Sequence, residues 1–259
     1  MPSLIIPAAS MNLYPSQPPS PPRTVLITGA SGAIGRALCL RFAKSGWRVG
    51  VHWQTRLEEA RATAQRLKDL GADASLHQAD VRKADEVERM VRAFTETWGS
   101  IDTLVCTAGA ASGQLAVKTT EQEWARMIDT NLSGAFFCMQ AAAARMSPRR
   151  QGSILVIGSY AGFHGSVGQA AYAASKAGLI GLVRSAAQEW GQDGIRVNLL
   201  LPGWQASSLA GPAADAPARF DDHVLHRPPR LRTVAAAAYR LAGSRETSGQ
   251  IWNVDSRIL

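Results

Sequence analysis

From Arg23 to the C-terminus, short apolar runs alternate with longer stretches whose apolar positions recur every three or four residues. A continuous apolar run bounded by turn residues reads as a strand buried on both faces, and the three-to-four period reads as a helix packing one face. The expected strands are Thr24 to Thr28, Arg48 to His52, Ala74 to Ala79, Thr103 to Thr107, Ser153 to Gly158, Arg196 to Leu201 and Gln250 to Val254. Helices are expected over Gly32 to Ser45, Leu57 to Leu70, Ala84 to Trp98, Glu121 to Met146, Ala170 to Gly191 and Leu231 to Ala242. Strand, helical crossover, strand is the grammar of a parallel sheet with right-handed connections. The expected fold is therefore α/β: a single Rossmann-type, doubly wound parallel sheet of about seven strands, with helices on both faces, filling residues 23 to 259.

Composition narrows the function classes. The 259 residues are 46% apolar, enough for a sizeable core. The net charge of +8 comes from 28 basic and 20 acidic residues. Since the arginines are scattered rather than gathered into a tract, no nucleic-acid partner is expected. No apolar stretch approaches the length of a membrane span, so no membrane partner is expected either. Cys39, Cys106 and Cys138 lie in apolar segments without metal-type spacing, which suits small core hydrophobes in a reducing, cytoplasmic setting. Residues 1 to 22 carry Pro and Ser but no charged side chain, and are expected to form a flexible tail. That stretch lacks a basic n-region and Pro7 cuts its one apolar run, so it does not read as a signal peptide; Met11 is as good a start as Met1.

Candidate chemistry gathers at two places. Directly after the first strand stands TGASGAIG, Thr28 to Gly35, leading into a helix. Glycines at 29, 32 and 35 permit a tight turn and let a diphosphate approach the backbone N–H groups of Ser31, Gly32, Ala33 and Ile34 at a helix N-terminus. The spacing departs from G-x-G-x-x-G, and a purely structural turn is the rival reading. Dinucleotide sheets that hold NAD place an acid after the second strand, whereas an arginine there suits a 2′-phosphate. Here the strand runs into VHWQTR, so Arg56 points to NADP(H) over NAD(H), unless it is an ordinary loop arginine. Asp80 and Val81, after the third strand, are placed to meet the adenine, although an Asp in a turn is often only a cap.

Tyr172 and Lys176 stand four apart on an expected helix, hence on one face, and Ser159 ends the fifth apolar run. A lysine ammonium below a phenol favours the phenolate, so the tyrosine is expected to be pulled below its usual pKa. The serine could hydrogen-bond the oxygen that the tyrosine protonates. In isolation the same pair also suits a buried tyrosine beside a solvated lysine.

Taken together, TGASGAIG, Asp80-Val81, Asn131 in NLSG, Ser159, Tyr172-Ala-Ala-Ser-Lys176, Asn198 and Pro202-Gly203 resemble the short-chain dehydrogenases/reductases over essentially 23 to 259. Within that family the stretch from Gly168 to Trp190 and GIRVNLLLPG are most similar to 3-oxoacyl-(acyl carrier protein) reductases. The resemblance implies an NAD(P)-dependent oxidoreductase in which Tyr172 is the general acid, Lys176 holds the nicotinamide ribose, and Ser159 orients the carbonyl. It also implies that Asn131 shapes its helix and holds a proton-relay water, and that Ala108, Gly109, Pro202 and Gly203 border the nicotinamide. Further implications are a homodimer or homotetramer and a thioester substrate, with an acidic acyl carrier protein docked on basic residues such as Arg149 and Arg150. Plain solvated arginines are the alternative, and Gln192-Asp193 stand where a docking arginine would be expected.

Several positions depart from the family. Cys106-Thr107-Ala108-Gly109 replaces Asn-Asn-Ala-Gly, which is expected to loosen cofactor binding unless the Thr107 hydroxyl substitutes. Asp255-Ser256-Arg257 replaces the usual Asp-Gly-Gly, so the tail is expected to pack differently, and Ser207 stands where relatives often have Thr. Residues 203 to 230 are the expected substrate lid, with Trp204, Leu209 and Phe220 as pocket or packing residues. In that lid His223 and His226 have a His-x-x-His spacing, but the flanking prolines favour a loop and no metal is expected. Best suited is NADPH-dependent reduction of a 3-oxoacyl thioester. Other alcohol/ketone pairs (sugar, steroid, pteridine) and a non-catalytic dinucleotide sensor or scaffold are the alternatives.

Overall fold

A computed structural model describes residues 22–111, 113–205 and 220–259. The expected tail up to residue 21 and the lid positions Ser207 and Leu209 lie outside these residues. Seven strands form one all-parallel sheet in the order β3-β2-β1-β4-β5-β6-β7. They are β1 (Thr24–Thr28), β2 (Arg48–Trp53), β3 (Ala74–Gln78), β4 (Thr103–Cys106), β5 (Gly152–Ile157), β6 (Ile195–Leu201) and β7 (Ile251–Asn253). Each lies within a residue or so of its expected bounds.

Burial of the sheet on both faces is visible residue by residue. Leu26, Leu104, Ile154, Val156, Val197 and Leu199 point into one core. Their strand neighbours Val25, Ile27, Val105, Leu155 and Leu200 point into the other, as period-two alternation requires. Helices α3 (Ala84–Trp98), α5 (Gly134–Met146) and α7 (Ala170–Gly191) cover the first face. Helices α1 (Ala33–Ala43), α2 (Leu57–Asp69) and α8 (Leu231–Gly243) cover the second. Phe94 of α3 is fully buried, edge-on to His77, and lies where any Cβ at Gly50 would be only 2.6 Å from its ring.

Two helical features differ from expectation. The single helix expected over Glu121 to Met146 is broken into α4 (Glu121–Ile128) and α5 by a wider turn at Asp129–Ser133, where the Gly134 N–H reaches back five residues to the Asp129 carbonyl. Such π-type turns re-aim a side chain, and here the side chain is Asn131. A short helix, α6 (Ala161–His164), follows β5; four residues are too few to show a period.

Chain order reverses between β1 and β4, so the loops after these strands diverge to opposite faces and leave a crevice at the strand carboxyl ends. Cutting Phe94 to Ala should remove the ring that fills the space over Gly50. A loss of about 3 to 5 kcal/mol in urea denaturation is expected.

Candidate active site

The crevice begins at the glycine turn. Gly29 holds φ +64°, and a Cβ there would lie 2.8 Å from the Ala108 backbone; a Cβ on Gly35 would come within 2.4 Å of the Gly29 carbonyl oxygen. Only glycine lets α1 pack this tightly against the turn while its N-terminal N–H groups face the crevice. Ser31, Gly32, Ala33 and Ile34 line the cleft, as do Val81, Ala108 and Gly109. Arg56, at the entrance to α2, lines it too, beside Gln54 and Thr55. No carboxylate is among the described residues that line it.

His52, which the sequence reading passed over, anchors the turn. Its Nδ1 accepts the Gly29 N–H at 2.9 Å, and its Nε2 faces the Ala79 carbonyl at 3.0 Å. Since one partner can only donate and the other only accept, the ring is neutral with its proton on Nε2. Burial lowers its pKa to about 4. A lone histidine in a strand run carries no sequence signal for this bridging role.

Asp80 is not among the described residues that line the crevice. Its carboxylate is gripped by the Arg82 guanidinium, at 2.9 and 3.0 Å from Nε, and takes the Arg82 backbone N–H as well. These bonds hold its pKa below the usual carboxylate range. Asp80 thus closes a local turn onto Arg82 and does not cap α3, and Val81 is the neighbour that meets the cleft.

The altered β4 end closes on itself. The Thr107 hydroxyl donates to the Thr28 carbonyl, while the Thr28 hydroxyl accepts the N–H groups of Thr107 and Ala108 at 3.1 and 3.2 Å. The hydroxyl expected to serve the cofactor instead ties β4 to β1.

The glycine-turn cleft shares Ile34, Thr107 and Gly109 with a second cleft that holds Ser159, Tyr172 and Lys176. Ser159, just past β5, accepts the Ala161 N–H at 3.2 Å and neighbours the Tyr172 phenol. Lys176 is buried, its Nζ donating to the Ile157 carbonyl at 2.9 Å and lying 5.9 Å from the centre of the Tyr172 ring. The expected lowering of the phenol pKa does not occur. Burial raises it, and the neighbouring Ser159 hydroxyl offsets this only in part. The same burial lowers Lys176 to about 8, because desolvation disfavours the charged form of either group.

Asn131 is a structural hub. Its Oδ1 accepts the Ala110 N–H at 2.8 Å; its Nδ2 donates to the Ala110 carbonyl at 3.0 Å and to Ser175 Oγ at 2.9 Å. Ser175 in turn donates to the Tyr172 carbonyl at 2.7 Å, so the wide turn, the loop after β4 and α7 are locked together. Its side-chain amide is occupied by protein groups.

The rim comes from the lid and the tail. Pro202, Gly203 and Trp204 line the second cleft, and Phe220 packs edge-on against Trp204 at 5.7 Å. The tail folds back over the cleft: Arg257 stacks on Tyr160 at 4.0 Å, bonds Asp255, and lies 3.6 Å from Asp222. His223 meets Asp222 at 2.8 Å. Arg149 and Arg150, expected near the cleft mouth, precede β5 whereas Ser159 follows it. They pair instead with Asp102 and with the Gln192 carbonyl. Six strand residues at about 3.3 Å each separate these ends by roughly 20 Å.

A parallel sheet with a glycine turn at its switch point and a Ser-Tyr-Lys group across the crevice defines a nicotinamide-dependent oxidoreductase of the Rossmann type. The short chain dehydrogenase family model matches residues 23–217, and the chain belongs to that family. It is 41% identical over 193 residues to 3-oxoacyl-[acyl-carrier-protein] reductase FabG of Staphylococcus aureus, covering 74% of this chain and 78% of the relative. Against 3-oxoacyl-[acyl-carrier-protein] reductase of Synechocystis it is 35% identical over 187 residues, 72% of this chain and 76% of the relative. A solved structure from Sinorhizobium meliloti 1021, assigned to the short-chain alcohol dehydrogenases, superposes with a TM-score of 0.87 at 28% identity, covering 91% of this chain and 96% of the other.

His52 yields a pH test. Its folded pKa lies near 4 and its ordinary value is 6.5, so between these the unfolded chain binds the extra proton. Folding stability should therefore fall as pH drops from 6.5 to 4. In His52→Asn, denaturation midpoints followed over that range should decline less steeply than in the wild type; an unchanged slope would remove His52 from this role.

Proposed function

We propose that this oxidoreductase is an NADPH-dependent carbonyl reductase acting on 3-oxoacyl thioesters. The observation that carries the reading is the continuity of the glycine-turn cleft with the cleft bearing Ser159, Tyr172 and Lys176. The glycine turn, Val81, Ala108 and Gly109 would hold the dinucleotide, with Arg56 at its 2′-phosphate; the absence of a carboxylate among the described lining residues favours NADP(H) over NAD(H). When bound, the dinucleotide supplies the hydride.

The chain's own residues manage the proton and the geometry. Ser159 and Tyr172 hold the substrate oxygen between two hydroxyls. As the carbonyl becomes an alkoxide, the Tyr172 O–H bond breaks and its proton forms the product hydroxyl. A phenol kept protonated by burial is fit to donate, and the developing phenolate is stabilised by the Lys176 ammonium beneath it. Lys176, with a pKa near 8, can then return the proton.

The names of the Staphylococcus and Synechocystis relatives support a thioester on an acyl carrier protein, or on CoA, as substrate. A cytoplasmic homodimer or homotetramer agrees with that reading, and no helix among the described residues is long and apolar enough to cross a membrane. A second reading, reduction of another ketone class, is favoured by the Asp222–Arg257 pair, which gives one cleft wall a polar surface.

Acetoacetyl thioesters and a panel of sugar, steroid and pteridine ketones, followed at the nicotinamide absorbance with NADPH and NADH in parallel, separate these readings. Fastest turnover with the thioester and NADPH is expected. Arg56→Gln should raise KM for NADPH by about 10- to 100-fold, as loss of a charge-assisted contact predicts, and leave that for NADH unchanged. Equal rates with both dinucleotides would sink the assignment of Arg56.

A further inference from the structure

At the amino ends of β1, β4, β5 and β6, opposite the active-site crevice, lies another cavity. Arg23, Arg196 and Arg245 line it, with Ser153, Asp102 and Trp47. Among the described residues, none of the three arginines pairs with a carboxylate. Arg23 rests on the Trp47 ring at 5.6 Å, and Arg196 Nη2 donates to the Ala242 carbonyl at 2.9 Å. Arg196 Nη1 and Ser153 Oγ are buried, and neither meets a protein partner. Ser153 itself is only 3% exposed.

Charge arithmetic leaves the cavity positive. Two helices, α7 and α8, end at its wall with Gly191 and Gly243, and each helix C-terminus is worth about half a negative charge. Asp102 is offset by Arg149 at 3.0 Å and also accepts the Thr24 N–H at 2.8 Å. Three arginines against two helix ends leave a surplus of about two positive charges. A phosphate or phosphate monoester carries about −1.5 to −2 near neutral pH and offers three or more acceptor oxygens.

We propose that this cavity is a binding site for a phosphate dianion, free or as the monoester of a small metabolite. Arg196 and Ser153 line its floor, and Arg23 and Arg245 its rim. Guanidinium forks match phosphate geometry, and Arg196 and Ser153 each keep a donor without a protein partner in the cavity wall. Consistently, burial and the neighbouring Arg23 charge lower the Arg196 pKa, a strain that an anion would relieve. The site is independent of the reductase reading, since it shares no residue with either active-site cleft.

Thermal unfolding of the full chain tests it, with inorganic phosphate, glycerol phosphate, and chloride or acetate at matched ionic strength. Phosphate should raise Tm saturably, by about 5 °C at a hundredfold excess over Kd, and chloride and acetate should not. A larger response to glycerol phosphate marks a metabolite as the ligand, and an equal one marks free phosphate. Arg245→Gln and Ser153→Ala should lose the response, whereas Arg56→Gln should keep it, which separates this cavity from the glycine turn. Should Arg245→Gln retain the full shift, should acetate match phosphate, or should Arg56→Gln abolish the effect, the site is overturned and the arginines serve only the helix ends.

Discussion

The structure depends on one constraint: all seven strands point the same way, so every strand end that carries chemistry opens on the same edge of the sheet. Reversal of winding at β1 and β4 then splits that edge into a crevice. Gly29 leaves β1 on one side, Thr107 leaves β4 on the other, and the Thr28–Thr107 bonds hold the two together at its base. Tyr172 and Ser159 come to face this crevice only because β5 ends one strand farther along.

Burial is the second determinant. Lys176 is drawn under the sheet edge, with the Ile157 carbonyl as its anchor. Desolvation there makes the phenol a reluctant acid and the ammonium a willing one. In the proposed reduction, charge on the lysine would matter when the phenolate forms rather than before. Asn131 supports this without touching the reacting atoms: its amide joins the loop after β4 to α7, and the π-type turn that presents it is the break in an otherwise continuous helix.

Much of this was legible in the chain. Apolar runs and their alternation with helical periods set the sheet, because strands buried on both faces have no polar positions to blur them. Tyr172, Lys176 and Ser159 were legible through spacing, and the glycine turn through its place after the first strand. What could not be read are contacts between distant segments whose members are individually ordinary. His52 bridging Gly29 to Ala79, Arg82 gripping Asp80, and Arg257 lying over Tyr160 each need two loops to be placed first. The pKa of Tyr172 was misjudged for a related reason: spacing reports that a cation is near but not that both groups are dry. Arg149 and Arg150 were placed by chain proximity to β5 without regard to which end of that strand they occupy.

The most direct measurement of the central claim, that Tyr172 gives up the proton in carbonyl reduction, is turnover by Tyr172→Phe alongside its NADPH affinity by fluorescence. The phenyl ring keeps the packing and removes only the hydroxyl, so NADPH affinity should stay within about threefold while turnover falls by 10² to 10⁴, the usual contribution of a positioned acid. Turnover near the wild-type rate with binding intact would contradict it.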